Sequence, residues 1–227
     1  MVITLATLGS IASLCGLVQY NFDNINKNDN DKMYLSLLSM LAHFGASWKQ
    51  IHSDYHSLIA SINPIVELLT EYRDGMRVPH TTGSVAPNSL RKVIHSGNLN
   101  AACLTFKNQT KKSMRIISGM KSPNDENWKK NIAELNNSGF RRLSENLVEI
   151  AEDRDIVVEI HQEFMVFLNE ISKFSANIDW DSNHVDFFID NRALLSTKYH
   201  EVIRRTDNVI MQMLDCFDLV TRELQYK

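Results

Sequence analysis

An all-α fold is predicted, a bundle of four long helices preceded by a short hydrophobic helix, and three observations predict it. Apolar residues return on a seven-residue repeat from Tyr34 to Tyr72. Four prolines and eight glycines are few for 227 residues, as expected where most of the chain is helical. A helix-start signature at Ser122 to Asp125 opens a second long run of helical apolar spacing. The expected organisation is a hydrophobic helix over 1–20, a polar hinge over 21–32, and a single-domain bundle over 33–227.

Residues 2–20 (VITLATLGSIASLCGLVQY) carry no charge and come close to the roughly 20 residues that a spanning helix needs. Thr4, Thr7, Ser10, Ser13 and Gln19 dilute the apolar residues, and no basic stretch precedes them as in a cleaved signal. Two readings stand. In one the segment is the first helix of the core. In the other it is membrane-active, with Ile3, Leu5, Leu8, Ile11, Leu14, Leu17 and Val18 against lipid. Ala6, Gly9, Ser13 and Gly16 then form a stripe of small residues on which another helix approaches closely.

The hinge (NFDNINKNDNDK) is rich in Asn and Asp, which favour turns and caps, and Asp29, Asn30 or Asp31 is placed to cap the helix that follows. Along that helix one half of the seam is Tyr34, Leu41, Trp48, Tyr55, Ile62 and Leu69. The other half is Leu37, Phe44, Ile51, Leu58, Ile65 and Tyr72. Leu38, Gly45, His52, Ile59 and Val66 form a third row, so the buried face is wider than a two-stranded seam. Pro64 lies off the seam and costs a backbone hydrogen bond, and Gly75 is the expected stop. Met76 to Ala86 reads as an exposed connection.

A third helix is expected from Pro87 to Gly119, with Leu90, Val93, Ile94, Ala101, Leu104, Phe106, Met114 and Ile117 as its apolar positions. The fourth begins with Ser122 as cap and Pro123 in the first turn and runs to Phe174, and its phase slips near Gly139, as a stutter or as a break. After a turn over 177–183, a final helix capped by Ser182 or Asn183 carries Val185, Phe188, Leu195, Tyr199, Val202, Val209, Met213, Cys216 and Val220.

The net charge of -3 is unevenly spread. No Asp or Glu occurs between Gly75 and Asn124, where Arg91, Lys92, Lys107, Lys111, Lys112 and Arg115 make a cationic helix. Glu145 to Glu170 is predominantly acidic. Opposite charge on neighbouring helices predicts that they pair with each other. If the cations stay free, their face suits anionic lipid or a protein partner. Nucleic acid is disfavoured, because Phe106 is the single aromatic interleaved with the basic residues and the chain is net negative.

Cys15, Cys103 and Cys216 are far apart in sequence and read as core residues in a reducing compartment. His52 and His56 lie one helical turn apart with no completing ligand, so no metal or cofactor is expected. P-loop, GxGxxG, nucleophile-elbow and zinc-finger patterns are missing, and no catalytic residue is assigned. The spacing of Arg73 and His80 resembles that of the Arg/His pair in HEPN-type ribonucleases, with Gly75 and Pro79 lying between the two.

An uncharged first helix (ITLATLGSIASLCGLVQ) followed by a helical bundle resembles the HeLo-type and mixed-lineage-kinase-like cell-death domains. The resemblance implies membrane permeabilisation by homo-oligomers once the terminal helix or a basic face is released. It carries over no individual functional residue. The chain is therefore expected to be a membrane-interacting effector of cell death or defence, in the cytoplasm or associated with a membrane. The alternative is an adaptor that docks a protein partner through a charged helix face.

Overall fold

The computed structural model describes residues 3–17, 22, 29–77, 98–174 and 182–225. The chain is all-α, with no strand among the described residues. Helix α1 spans Leu5–Leu14, α2 Asn30–Arg77, α3 Asn98–Gly119, α4 Glu126–Asn137, α5 Arg141–Phe174 and α6 Ser182–Asp190. A π-helical turn at Leu194–Lys198 then leads into α7, Tyr199–Gln225.

The seven-residue repeat makes α2 a helix of 48 residues. Each seam side chain from Tyr34 to Leu69 is buried, and that of Tyr72 lies outside the described side chains. Asp29 caps α2, accepting from the Lys32 amide at 3.1 Å. Pro64 is accommodated within the helix, which passes the expected stop at Gly75 and runs to Arg77. The expected connection therefore begins later than Met76, and residues 78–97, including the Pro87 start foreseen for the third helix, lie outside the described residues.

The other boundaries differ from expectation for local reasons. Asp125, not Ser122, caps α4: its backbone is extended (φ -72°, ψ 133°) and its carboxylate accepts from the Asn127 amide at 2.7 Å. Ser122 instead opens the preceding turn, its carbonyl accepting from the Asp125 amide at 3.0 Å. Near Gly139 the chain breaks. Gly139 has φ +86°, its amide donates to Asn136 O at 3.1 Å, and the Phe140 amide donates to Leu135 O at 2.9 Å. This is a Schellman stop, and buried Phe140 supplies its apolar contact. The same motif ends α1, with Gly16 at φ +69°, Leu17 N to Ala12 O at 2.8 Å and Gly16 N to Ser13 O at 3.3 Å. Ser182 opens α6 and is not a cap to one final helix, which the π-helical turn divides from α7. Leu104, expected to be apolar and inward, is 61% exposed.

Backbone contacts divide the chain into two compact units. The first comprises residues 1–52, 111–159 and 204–227. Its core includes Leu8, Ile11, Leu14, Tyr34, Phe44 and Trp48, all fully buried, and Phe44 meets Trp48 edge to face at 6.2 Å. The second comprises 53–110 and 160–203. Its core is built on Tyr55, with Phe106 and Phe164 edge-on at 5.0 Å each.

Candidate functional site

Three regions hold the residues singled out by sequence: α1, the cationic face of α3, and the acidic stretch of α5. Within the first unit α1 packs on α4. Leu8, Ile11 and Leu14 have no exposed surface, Ile3 and Leu17 are buried, and Leu5 is half-buried. Val18 lies outside the described residues. Two hydroxyls on the same helix are also inside. Ser10 Oγ donates to Glu134 Oε2 at 2.7 Å, and Thr7 Oγ1 accepts from Thr4 Oγ1 or donates to it at 2.9 Å.

The four small residues occupy different surroundings. Ala6 is exposed, Ser13 is half-buried, and a methyl built on Gly9 would meet nothing within 4 Å. Gly16 is pressed against the end of α3, where a Cβ would stand 2.6 Å from the Gly119 carbonyl carbon and 2.7 Å from the Met120 nitrogen. No described helix is long and apolar enough to cross a membrane.

On α3 the cations do not behave alike. In the second unit Lys107 Nζ donates to Leu168 O at 3.2 Å, Asn169 Oδ1 at 2.9 Å and Ser172 Oγ at 3.1 Å. It thereby serves carbonyl and side-chain acceptors near the C-terminal end of α5, where a cation is favoured. In the first unit Lys111, Lys112 and Arg115 are exposed, and none makes an ion pair with a described residue. Arg91 and Lys92 lie outside the described residues.

The pairing expected between the cationic and acidic helices is replaced by another. In the first unit two α5 acids, Asp153 and Glu149, face α7. Asp153, 3% exposed, accepts from Arg205 Nη1 at 2.5 Å and Asn208 Nδ2 at 2.6 Å, and Gln212 donates to Glu149. Arg142 on α5 reaches Asp215 on α7 with two parallel bonds, at 3.0 and 2.9 Å. In the second unit Lys198 pairs with Glu163. The sequence shows which residues are charged, but the partner is set by rotation of α5 about its axis, and that rotation turns Asp153 towards α7.

His52 and His56 likewise have partners of their own. His52 Nε2 lies 3.1 Å from Asp207 Oδ1, and His56 Nδ1 lies 2.7 Å from the Tyr199 hydroxyl. His161 lies 3.1 Å from the Tyr55 hydroxyl. Burial lowers the His161 pKa to about 4 and raises that of Tyr55, so the hydroxyl keeps its proton and donates it to a neutral imidazole. Burial also raises Cys103 and Cys216 to about 11 and, with Cys216 nearby, pushes Cys15 up further. These thiols stay protonated and unreactive.

Among the described residues no three His, Cys, Asp or Glu side chains converge as a metal site. The side chain of Arg73 and the whole of His80 fall outside the described set, so the ribonuclease-like pair is not placed. No protein-family model, curated protein or solved structure matches the chain.

Proposed function

We propose that this protein is a non-enzymatic helical bundle that docks an acidic segment of a protein partner on the outer face of α3. The observation supporting the reading is that Lys111, Lys112 and Arg115 are exposed and make no ion pair with a described residue, while Asp153 and Glu149 of α5 are engaged with α7. Such a face attracts anions at no internal cost, and its attraction weakens with salt.

What favours a protein partner over a membrane is the seat of α1. Leu8, Ile11 and Leu14 are fully buried. Each contributes about 1.5 to 3 kcal/mol through burial, about 5 to 9 kcal/mol together. Releasing α1 thus costs an amount comparable to the whole stability of an ordinary domain, about 5 to 15 kcal/mol.

A second reading rests on the uncharged character of α1 beside these same cations: a membrane-interacting effector, resembling the HeLo-type proteins, in which a trigger frees α1 and copies assemble on anionic lipid. Two measurements separate them. Fluorescence anisotropy with a labelled Glu-rich peptide, and flotation with phosphatidylserine-containing or phosphatidylcholine vesicles, are run on the full chain and on the Lys111→Glu, Lys112→Glu, Arg115→Glu triple variant. Docking predicts peptide binding that the triple variant loses, with no flotation. Flotation dependent on phosphatidylserine, together with a chain starting at Asn21 that still melts cooperatively, would transfer the case to the membrane reading.

A further inference from the structure

In the first unit α2 and α7 leave an open hollow of about 270 Å³ between them. One side is formed by small residues of α2, Ala42, Gly45 and Ala46, and the other by Leu214 and Phe217 of α7, with Lys49 at one end. Two turns before Ala42 on the same helix, Leu35 projects into solvent, 59% exposed. We infer that this face joins two copies of the chain about a two-fold axis, with Leu35 of each copy seated in the hollow of the other.

The order of residues along α2 fits that partner. Asp31, Leu35, Leu38, Ala42, Gly45 and Lys49 follow one another at steps of four and three, so they share one side of the helix. Read in reverse, the stripe complements itself. Laid antiparallel on a second copy, with the axis at the level of residue 40, Leu35 meets Gly45, Leu38 meets Ala42 and Asp31 meets Lys49, and each pair occurs twice. Large side chains then oppose small ones, and acid opposes base, the reciprocity that a two-fold contact between identical surfaces requires. Asp31 and Lys49 are both exposed, and neither pairs with a described residue. They cannot pair with each other inside one copy, because the stretch of helix between them is about 27 Å long. Apolar exposure is concentrated at the same place. Among the described residues of the first unit, the exposed large apolar side chains are Leu35, Leu214 and, one turn from Leu214, Met211. Apolar surface gathered in this way and rimmed by charge marks a contact between proteins.

Sedimentation velocity on the full chain, over about a hundredfold range of concentration, tests the association, which must follow mass action. The mass should rise from 26.0 kDa to a plateau at twice that value. Leu35→Glu should keep the chain single at every concentration with its helical circular dichroism spectrum unchanged, because Leu35 is exposed within one copy. Asp31→Lys alone and Lys49→Glu alone should each raise the dissociation constant about tenfold or more, since each dimer holds two such pairs and the change turns attraction into repulsion. Asp31→Lys combined with Lys49→Glu should restore association. The proposal is wrong if the parent chain stays at 26.0 kDa throughout, or if its mass climbs past two copies without a plateau. It is equally wrong if Leu35→Glu still pairs, or if the double variant associates no better than the single ones.

Discussion

Gly9 and Gly16 lie in the same uncharged segment, yet replacing each by alanine should move stability in opposite directions. At Gly9, inside α1, the added methyl meets nothing within 4 Å. Alanine there removes the conformational freedom that glycine contributes to the unfolded chain and should stabilise by about 0.5 to 1 kcal/mol. At Gly16 the backbone has φ +69°, and alanine in the left-handed region costs about 1 to 2 kcal/mol. Its Cβ would also stand 2.6, 2.7 and 2.8 Å from backbone atoms of Gly119, Met120 and Ile116, which no side-chain rotation relieves. Overpacking of this kind adds about 1 to 3 kcal/mol, for a total loss of about 2 to 5 kcal/mol. For a chain of this length each kcal/mol shifts the melting temperature by about 2 to 4 °C. Urea titration and thermal melting followed by far-UV circular dichroism would give both numbers. Equal midpoints for Gly16→Ala and the parent chain would refute the seating of α1 against the end of α3, and with it the argument that α1 belongs to the core.

Three further perturbations test other parts of the structure. Trp48→Ala empties a fully buried site and should cost about 3 to 5 kcal/mol in urea titration; an unchanged midpoint would place the α2 seam in solvent. Arg205→Met leaves the buried Asp153 carboxylate without its cation and should cost about 3 to 5 kcal/mol, whereas Arg222→Met, in an exposed pair with Asp218, should cost about 1 kcal/mol or less. Because the folded pKa of His161 is about 4 against an ordinary 6.5, the unfolded chain takes up a proton first as pH falls. Its contribution is complete above pH 6.5 and is lost as pH falls towards 4. The urea midpoint should decline over that window in the parent chain and more shallowly in His161→Gln, which retains an acceptor for Tyr55.

The sequence made α2 legible because every seam position is apolar, and the observed burial from Tyr34 to Leu69 follows that repeat. It was less informative where one short-range signal competed with another. Ser122, Pro123 and Asp125 all resemble helix-start residues, and only the backbone angles select Asp125 as the cap. Gly139 was recognisable as an irregularity, but the choice between stutter and break depends on the positive φ that completes the Schellman bonds. The cations of α3 were visible as a block, while the engagement of Lys107 with the end of α5 required the tertiary arrangement.

The contact between Ser10 and Glu134 joins residues 124 positions apart. At ordinary synthesis rates of about 5 to 20 residues per second, α1 is made roughly 6 to 25 s before α4. Throughout that interval Leu8, Ile11 and Leu14 have no α4 to cover them, and a fully apolar segment would be open to aggregation. Thr4, Thr7, Ser10 and Ser13 lower the hydrophobicity of the waiting helix, and Ser10 then turns the same hydroxyl into a bond with its late-arriving partner. The polarity that makes residues 2–20 a weak membrane segment thus gives the nascent chain time to fold.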